Sequence, residues 1–463
     1  METVLLVNPP GDQPFIRDYF CSKVSKSGYL YHPTDLLILS GILSPHFKVA
    51  VLDAIVEGLS EQAALERIRR VAPDHVIALT GSVSFSRDCA FLARVRKKNP
   101  RIRSMAAIGD IFFENPRDKL KRLPFLDALL FDFTDACIVD FFRGERCENM
   151  VFRENGTGAI QGEWRKAGRS AYSHPVPRYD LFPNKRYTYP FCRKKPFGVV
   201  LTNFGCPFKC AFCIMSSLGF KSRDPENVLE ELRYLKDNGF RNIYFNDQTF
   251  GADKKQTRAL LRAMREQGLD LGFVCFTRVD LLDEEFAGLL KEAGCHTVMF
   301  GVESSDPGLL ERYSKGITPE MVENAATLCR KNRIRTVGTF ILGLPGETRE
   351  TALATIAFAK RIPLDYASFN IAIPRMGTGL REMSLEQGYV DPDQEEMDQS
   401  GSTPLIETGQ LGLDEVRALQ KKAYREFYFR PGKMLAQLLD IRTRTDLFNH
   451  IRNGWGVFAS LFK

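Results

Sequence analysis

Several features that define other protein classes are missing from this sequence of 463 residues. It contains no run of 18 apolar residues, so we expect no transmembrane segment. The N-terminus has no basic segment and only four consecutive apolar residues, so we expect no secretory signal. No dense Lys/Arg block with interleaved aromatics occurs, and the net charge of +7 is small for this length. We therefore expect no nucleic-acid partner.

The cysteines lack the arrangement of a disulfide framework. There are eleven of them, an odd number, spread over a long chain. In a large chain without a secretory signal, this usage indicates a reducing compartment in which closely spaced cysteines bind metal. We therefore expect a cytoplasmic protein.

The chain is long enough for two or three domains. Residues 1–145 alternate short apolar runs with helical patterns, which is typical of a doubly wound, Rossmann-like α/β domain with a parallel sheet. Residues 146–195 are rich in glycine, proline and aromatics, which predicts a linker or strap. Ligands of doubly wound domains bind at the carboxyl ends of the strands.

A second alternating series predicts another α/β domain over residues 196–385. Six strand–helix units favour a partial (β/α)6 barrel, whose functional residues would follow the strands. Residues 386–463 predict an acidic loop and a small helical C-terminal region. We expect Phe427–Pro431 to lie between two of its helices.

The strongest local signal is the motif Cys206-Pro-Phe-Lys-Cys210-Ala-Phe-Cys213. Soft thiolates suit iron–sulfur centres, and three of them leave one iron of a four-iron cluster open to a chelating molecule. Zinc is the alternative, but it requires a fourth ligand. His174 and Cys192 are the nearest upstream candidates, and no Cys or His follows the motif until Cys275.

This motif, directly after a predicted strand, resembles the radical S-adenosylmethionine (radical SAM) superfamily over about residues 198–385. The resemblance implies a 4Fe-4S cluster on the three cysteines, with S-adenosylmethionine (SAM) chelating the open iron. Reductive cleavage of SAM would give a 5′-deoxyadenosyl radical, with electrons from a donor such as a flavodoxin or ferredoxin. The cofactors supply the difficult chemistry and the protein positions them.

The same resemblance suggests SAM-binding positions at the ends of successive strands. They are Asn246, Asp247 and Gln248 for the amino group, Arg278 for the carboxylate, Glu303 for the ribose or amino group, and Ile341 in the adenine-contacting segment. No residue is assigned as catalytic. The alternative for each is a turn or helix cap at a strand end.

Asn8-Pro9-Pro10 after the first strand, the domain order and Phe427–Pro431 resemble the cobalamin-binding branch of the superfamily. This implies cobalamin at the strand ends of the first domain. The candidate contacts are Asn8, Pro10, Thr80, Ser82 and Ser84. The sequence departs from the branch at Ile108-Gly109-Asp110-Ile111, where Gly-Gly-x-His is common, and it lacks the Asp-x-His-x-x-Gly motif.

The predicted function is therefore methyl transfer to an unactivated carbon by a cobalamin-dependent radical SAM enzyme. One alternative is a radical SAM cyclase, oxidase or rearrangement enzyme that transfers no methyl group from cobalamin. Another, of a different class, is a non-catalytic iron–sulfur electron carrier. The substrate is left open among small molecules, lipids, tetrapyrroles and peptides.

Overall fold

The computed structural model describes residues 1–145, 147–154, 156–400 and 405–439. The chain divides into two compact units by its internal contacts. The first comprises residues 1–25, 30–187 and 393–398, and the second comprises 26–29, 188–392 and the described residues from 399 onward. No helix among the described residues combines the length and the apolar character needed to cross a membrane.

The first unit contains ten strands, seven of which form one sheet, with helices between them. Its strands are β1 (Thr3–Asn8), β2 (Phe15–Asp18), β3 (Cys21–Val24), β4 (Lys48–Asp53), β5 (His75–Leu79), β6 (Ser104–Ile108), β7 (Ala128–Leu130), β8 (Met150–Arg153), β9 (Ile160–Gly162) and β10 (Ala167–Tyr172). Its helices are α1 (Thr34–Leu43), α2 (Ala54–Glu57), α3 (Glu61–Val71), α4 (Phe85–Lys98), α5 (Pro116–Arg122) and α6 (Cys137–Phe142).

The large sheet has the order β4-β1-β5-β6-β7-β8-β9. Its first five strands are parallel, as the alternation of apolar runs and helical patterns predicted for this domain. β5 is buried throughout, as expected for a strand covered on both faces. The amphipathic helix α3 is capped by Ser60, whose hydroxyl accepts from the Ala63 N–H at 3.2 Å. The predicted doubly wound α/β class is confirmed.

Two features of this unit differ from the sequence expectation. β8 and β9 fall within the predicted linker but add antiparallel strands beyond β7, because β7 would otherwise leave an unpaired edge. Residues 15–24 form the antiparallel hairpin β2–β3, which the sequence analysis did not predict. The domain boundaries at 145 and 195 stay predictions, since the contact division falls between residues 187 and 188.

The second unit contains eight strands, six of which form one sheet. Its strands are β11 (Phe197–Val200), β12 (Asn203–Gly205), β13 (Gly219–Arg223), β14 (Asn242–Phe245), β15 (Gly272–Thr277), β16 (Cys295–Glu303), β17 (Arg335–Leu342) and β18 (Tyr366–Ile371). Its helices are α7 (Met215–Leu218), α8 (Pro225–Asp237), α9 (Lys254–Glu266), α10 (Glu284–Glu292), α11 (Pro307–Arg312), α12 (Pro319–Lys331), α13 (Arg349–Arg361), α14 (Gly379–Glu386), α15 (Leu413–Tyr428) and α16 (Pro431–Leu439).

The order β11-β14-β15-β16-β17-β18 follows the chain, and every neighbouring pair is parallel. This is the predicted partial barrel, with all carboxyl ends at one face. The helices start at side-chain caps: Asp224, Asp253, Asp283, Thr318 and Thr348 each accept a hydrogen bond from a first-turn N–H.

The edge strand β18 is covered by helix α15. The Tyr428 hydroxyl donates to the Ala367 carbonyl at 2.7 Å and accepts from the Ala367 N–H at 3.1 Å. Such contacts occupy backbone groups that an open edge would leave unpaired. The predicted segment Phe427–Pro431 does lie between helices, α15 and α16, while the prediction for residues 440–463 lies outside the described residues.

Candidate metal centre and cofactor site

The three cysteines of the motif lie on the loop that follows β12. Gly205, just before Cys206, has φ +77°, and a Cβ there would lie 2.0 Å from the Gly219 carbonyl oxygen. Glycine is therefore required for this turn. The Cys206 N–H donates to the same Gly219 carbonyl at 2.9 Å. Farther along, the Ala211 N–H donates to the Tyr313 carbonyl at 3.0 Å, so both ends of the loop are fixed.

The donors available decide between a cluster and a single zinc ion. No three His, Cys, Asp or Glu side chains of the described residues converge closely enough to hold one metal ion. Tetrahedral zinc needs four donors around one atom. A four-iron cluster instead takes one thiolate on each of three irons. The donor set Cys206, Cys210 and Cys213 therefore fits a cluster.

Burial and neighbouring cations act on the thiols in opposite directions. Burial raises the pKa of Cys210, while Lys315 and Arg278 lower it. Burial also raises the pKa of Cys213, to about 12, against the opposing charge of Arg375. Iron binding must therefore displace the thiol protons. The three cations can offset the negative charge that thiolate ligation brings into this partly buried loop.

Arg278 is brought to the cluster loop, but most of its donors already have partners. Its guanidinium bonds to the Asp280 carboxylate at 2.9 Å and to the Lys315 carbonyl at 2.6 Å. It also lies 3.6 Å from the Cys210 sulfur and 4.0 Å from the centre of the Phe208 ring. A carboxylate ligand of Arg278 would therefore have to share the guanidinium with these groups.

The three residues predicted to bind the amino group of SAM, Asn246, Asp247 and Gln248, follow β14. Their surroundings differ. Asp247 is buried and accepts from the Thr202 N–H at 2.7 Å, the Asn203 N–H at 2.8 Å and the Thr202 hydroxyl at 2.9 Å. Burial raises its pKa to about 7. Asp247 thus fixes the turn between β11 and β12. Asn246 is buried too, and Gln248 is partly exposed.

Two positions nearby went unnoticed in the sequence. The Thr249 hydroxyl lies 3.4 Å from the Cys206 sulfur. Lys315, after α11, lies 2.6 Å from the predicted site residue Glu303. Thr249 directly follows the predicted segment Asn246–Gln248 but was assigned no role, and Lys315 has no motif around it, because a contact across barrel loops leaves no local spacing pattern. Ile341 packs with the cluster-loop residue Phe212 against one hydrophobic core cluster, which is compatible with its predicted place.

We expect Asp247→Ala and Gln248→Ala to have different consequences. The first leaves two buried N–H groups without an acceptor, so the free energy of unfolding should fall by about 2–3 kcal/mol. Gln248 accepts and donates no side-chain hydrogen bond in the part of the chain that the structure describes. Its variant should keep full stability and bind SAM about tenfold more weakly, through one lost bond to a charged group. Urea unfolding and SAM titration measure the two effects; equal behaviour of the variants contradicts this division of roles.

In the first unit, three predicted cobalamin contacts are held by one arginine. Arg17, on β2, donates to the Asn8 side-chain oxygen at 3.0 Å, the Pro10 carbonyl at 3.4 Å and the Ser84 hydroxyl at 3.0 Å. It also forms a two-bond ion pair with Asp88, with both distances 2.8 Å. The structure therefore brings these three positions together, around a buried ion pair.

The other two predicted contacts are also bonded within the unit. The Thr80 hydroxyl donates to the Ile108 carbonyl at 3.1 Å. Ser82 donates its N–H and hydroxyl to Asp110 at 2.9 and 2.8 Å, and its carbonyl accepts from the Met397 N–H at 2.9 Å.

Comparison with known proteins identifies a family over the region that contains the cysteine loop and the partial barrel. The profile of the radical SAM superfamily matches residues 200–359. An uncharacterized methyltransferase of Pyrococcus horikoshii is 31% identical over 450 aligned residues, and the match covers 94% of this chain and 95% of the relative. The chain belongs to the radical SAM superfamily. It is an enzyme that uses a 4Fe-4S cluster and SAM, as the motif predicted.

Other relatives and two solved structures extend the picture. The cytidylyl-2-hydroxyethylphosphonate methyltransferase of Streptomyces wedmorensis is 28% identical over 53% of this chain and 48% of its own. The methyltransferase TsrM of Kitasatospora setae has TM-score 0.64 at 20% identity, covering 84% of this chain and 77% of TsrM. The cobalamin-dependent enzyme OxsB has TM-score 0.68 at 16% identity, covering all of this chain and 72% of OxsB. At these identities the two structures establish a shared fold.

Proposed function

We propose that this enzyme transfers a methyl group to an unactivated carbon, with cobalamin as a third cofactor. The observation that carries the proposal is the three-cysteine loop, with its cations, in a chain aligned almost end to end with a relative named as a methyltransferase. The names of TsrM and OxsB, which share the fold, support methyl transfer and cobalamin respectively.

The cofactors, when bound, supply the electron, the radical and the methyl group. The chain's own residues hold and orient them. Cys206, Cys210 and Cys213 would ligate three irons, and Arg278 and Lys315 provide positive charge beside Cys210. The aromatic rings of Phe208 and Phe212 flank these two cations, at 4.0 and 5.9 Å, and help exclude water from the loop.

The surroundings of the five predicted cobalamin contacts show whether a ligand could reach them at the strand ends of the first unit. All five predicted residues are bonded to neighbours within that unit, and the strand ends are covered by two segments. One is the β2–β3 hairpin: a Cβ on Gly81 would meet the Ser22 hydroxyl at 2.3 Å. The other is residues 393–398, where Glu396 accepts from the Ser86 N–H at 2.7 Å. A cobalamin bound by these five residues would therefore have to share them with their present partners or displace those bonds.

This covering favours a second candidate, a radical SAM enzyme that does not use cobalamin as methyl donor. The anaerobic magnesium-protoporphyrin IX monomethyl ester cyclase of Rubrivivax gelatinosus is 26% identical over 74% of this chain and 64% of its own. Its name gives ring closure as another outcome within the same superfamily.

Retention of cobalamin decides between the two candidates. The protein is reconstituted anaerobically with iron, sulfide and hydroxocobalamin, desalted, and measured for iron, cobalt and absorbance. We expect about four irons and about one cobalamin per chain, with 5′-deoxyadenosine formed from SAM under strong reductant. Four irons without cobalt would support the cobalamin-free enzyme. A cluster that never cleaves SAM would contradict both.

We further propose that the protein works in a reducing, cytoplasmic environment with a flavodoxin or ferredoxin as electron donor. The eleven cysteines and the need for a low-potential electron support this. The substrate class stays open among small molecules, lipids, tetrapyrroles and peptides. A lipid or tetrapyrrole is compatible with the apolar segment around Ile341, which packs in a hydrophobic cluster.

A further inference from the structure

We propose that Lys315 is a positioning residue for SAM cleavage. Its ammonium group fixes the carboxylate of Glu303 in one orientation, and its positive charge lies beside the cluster loop. The proposal rests on the assignment of the cysteines and of SAM above, and it deepens that assignment by a residue outside every motif of the sequence.

The first support is a buried ion pair. The Lys315 ammonium lies 2.6 Å from Glu303 Oε1, and the two side chains are 7% and 9% exposed. Gly301 makes room for the pair, since a Cβ there would lie 2.0 Å from Glu303 Oε1 and 2.6 Å from the ammonium. A buried pair gains little net stability because both charges lose their hydration. Its presence at a strand end therefore needs another explanation.

The second support is the backbone of Glu303. This residue has φ +65°, a left-handed conformation that is unfavourable for a residue with a side chain. The pairing of β16 with β17 shifts register between Gly301 and Glu303. Such outliers persist where surrounding structure fixes them, and they concentrate at functional sites. Here the Lys315 bond holds a strained residue at the barrel face that carries the cysteines.

The third support is the position of Lys315 between Glu303 and the cluster loop. Both its ends are fixed: its carbonyl accepts from Arg278 at 2.6 Å and its ammonium donates to Glu303. Its ammonium group lies 5.9 Å from the centre of the ring of Phe212, which stands between Cys210 and Cys213 in the cluster loop. A lysine that only neutralised Glu303 could do so without facing the cluster loop.

Together these contacts leave one carboxylate oxygen for a ligand. Glu303 Oε2 has no hydrogen-bond partner among the residues that the structure describes. A carboxylate held at Oε1 can accept from a hydroxyl or ammonium group of SAM at Oε2 without losing the entropy of its own side chain on binding. The positive charge also favours the reduced cluster, which carries one more electron.

The test compares Lys315→Met with wild type in the reconstituted full chain. Iron content first establishes that the cluster has formed. We expect unchanged iron, a cluster reduction potential shifted to more negative values, and SAM affinity lower by about 10- to 100-fold, as for other residues that orient a ligand group. SAM binding is followed by the change it causes in the electron paramagnetic resonance spectrum of the reduced cluster. Lys315→Arg should restore the potential and part of the affinity.

Two further variants keep the result interpretable. Lys331→Met removes an exposed lysine, paired with Glu284, from the same unit and should change neither quantity. The double variant Lys315→Met, Glu303→Gln leaves no unpaired buried charge, so it should fold even if the single variant does not. Its SAM affinity should equal that of Glu303→Gln alone, because the two residues act as one unit.

The proposal is overturned if Lys315→Met, or the double variant in its place, matches Lys331→Met in potential and SAM affinity. No methyl acceptor or cobalamin is needed for these measurements. Failure of methyl transfer would therefore leave the Lys315 result intact. If wild type does not cleave SAM, the proposed function fails and the SAM-positioning role of Lys315 fails with it, while the potential of the cluster alone still tests the effect of the Lys315 charge.

Discussion

Replacing Cys206, Cys210 and Cys213 together with alanine should remove all cluster iron and abolish SAM cleavage. Thiolates are the protein's ligands to the irons, and nothing nearby replaces them: among the described residues, no group of three His, Cys, Asp or Glu side chains could hold a metal ion in their place. We expect about four irons per chain in the wild type and none in the triple variant, measured by iron assay and by the visible absorbance of the anaerobic protein.

The matched control is a variant with two cysteines changed outside the loop. Cys21 and Cys89 are half-buried, like Cys213, but lie in the first unit. Their replacement by alanine should leave iron content and 5′-deoxyadenosine formation unchanged. Zinc in place of iron in the wild-type protein, or iron retained by the triple variant, would refute the cluster assignment.

Arg17→Met should destabilise the first unit by about 3–5 kcal/mol, because it leaves the Asp88 carboxylate buried without its cationic partner. Arg17 and Asp88 are both fully buried at their side chains. Burial raises the pKa of Asp88, and the charge of Arg17 counters this. Without Arg17 the pKa of Asp88 in the folded protein should rise further. As the pH rises, Asp88 then loses its proton in the unfolded chain before it does so in the folded protein. The stability loss should therefore grow as the pH is raised above about 4, the ordinary pKa of an aspartate.

Tryptophan fluorescence during urea unfolding can follow this unit. Trp164 packs against Phe113 and Phe131, with ring centres 5.1 and 5.8 Å away, and a Trp455→Phe background leaves it as the single tryptophan. Arg87→Met is the control, since Arg87 pairs with Asp12 at 2.9 Å but is about half exposed. It should change stability by less than about 1 kcal/mol. A similarly small effect of Arg17→Met would show that the pair does not hold the strand ends.

Much of the fold was predictable because its signals are local. A buried parallel strand such as β5 is a continuous apolar run, and helices such as α8 start at a capping residue followed by proline. The hairpin β2–β3 was missed because its four-residue strands are short and partly polar. β8 and β9 were missed because Gly156 and Gly158 suggested a linker. The same two glycines lie in the turn between the paired strands.

The candidate site divides in the same way. Cys206, Cys210 and Cys213 are visible in the sequence because one loop supplies all three ligands, so their spacing is itself the signal. The sequence alone thus determined the cluster motif, the alternation of strands and helices, and the order of the two α/β regions. Those properties depend on residues adjacent in the chain.

Only the tertiary structure decided which polar residues at the strand ends remain available. Asp247 holds a turn, Arg278 shares its guanidinium, and Lys315 fixes Glu303 from another loop. In the first unit, Arg17 holds Asn8 and Ser84, candidates that the sequence suggested for a cofactor. The physical reason is that a buried polar side chain bonds to whichever groups folding places beside it, and those partners are distant in the chain: Arg17 and Asp88 are 71 residues apart.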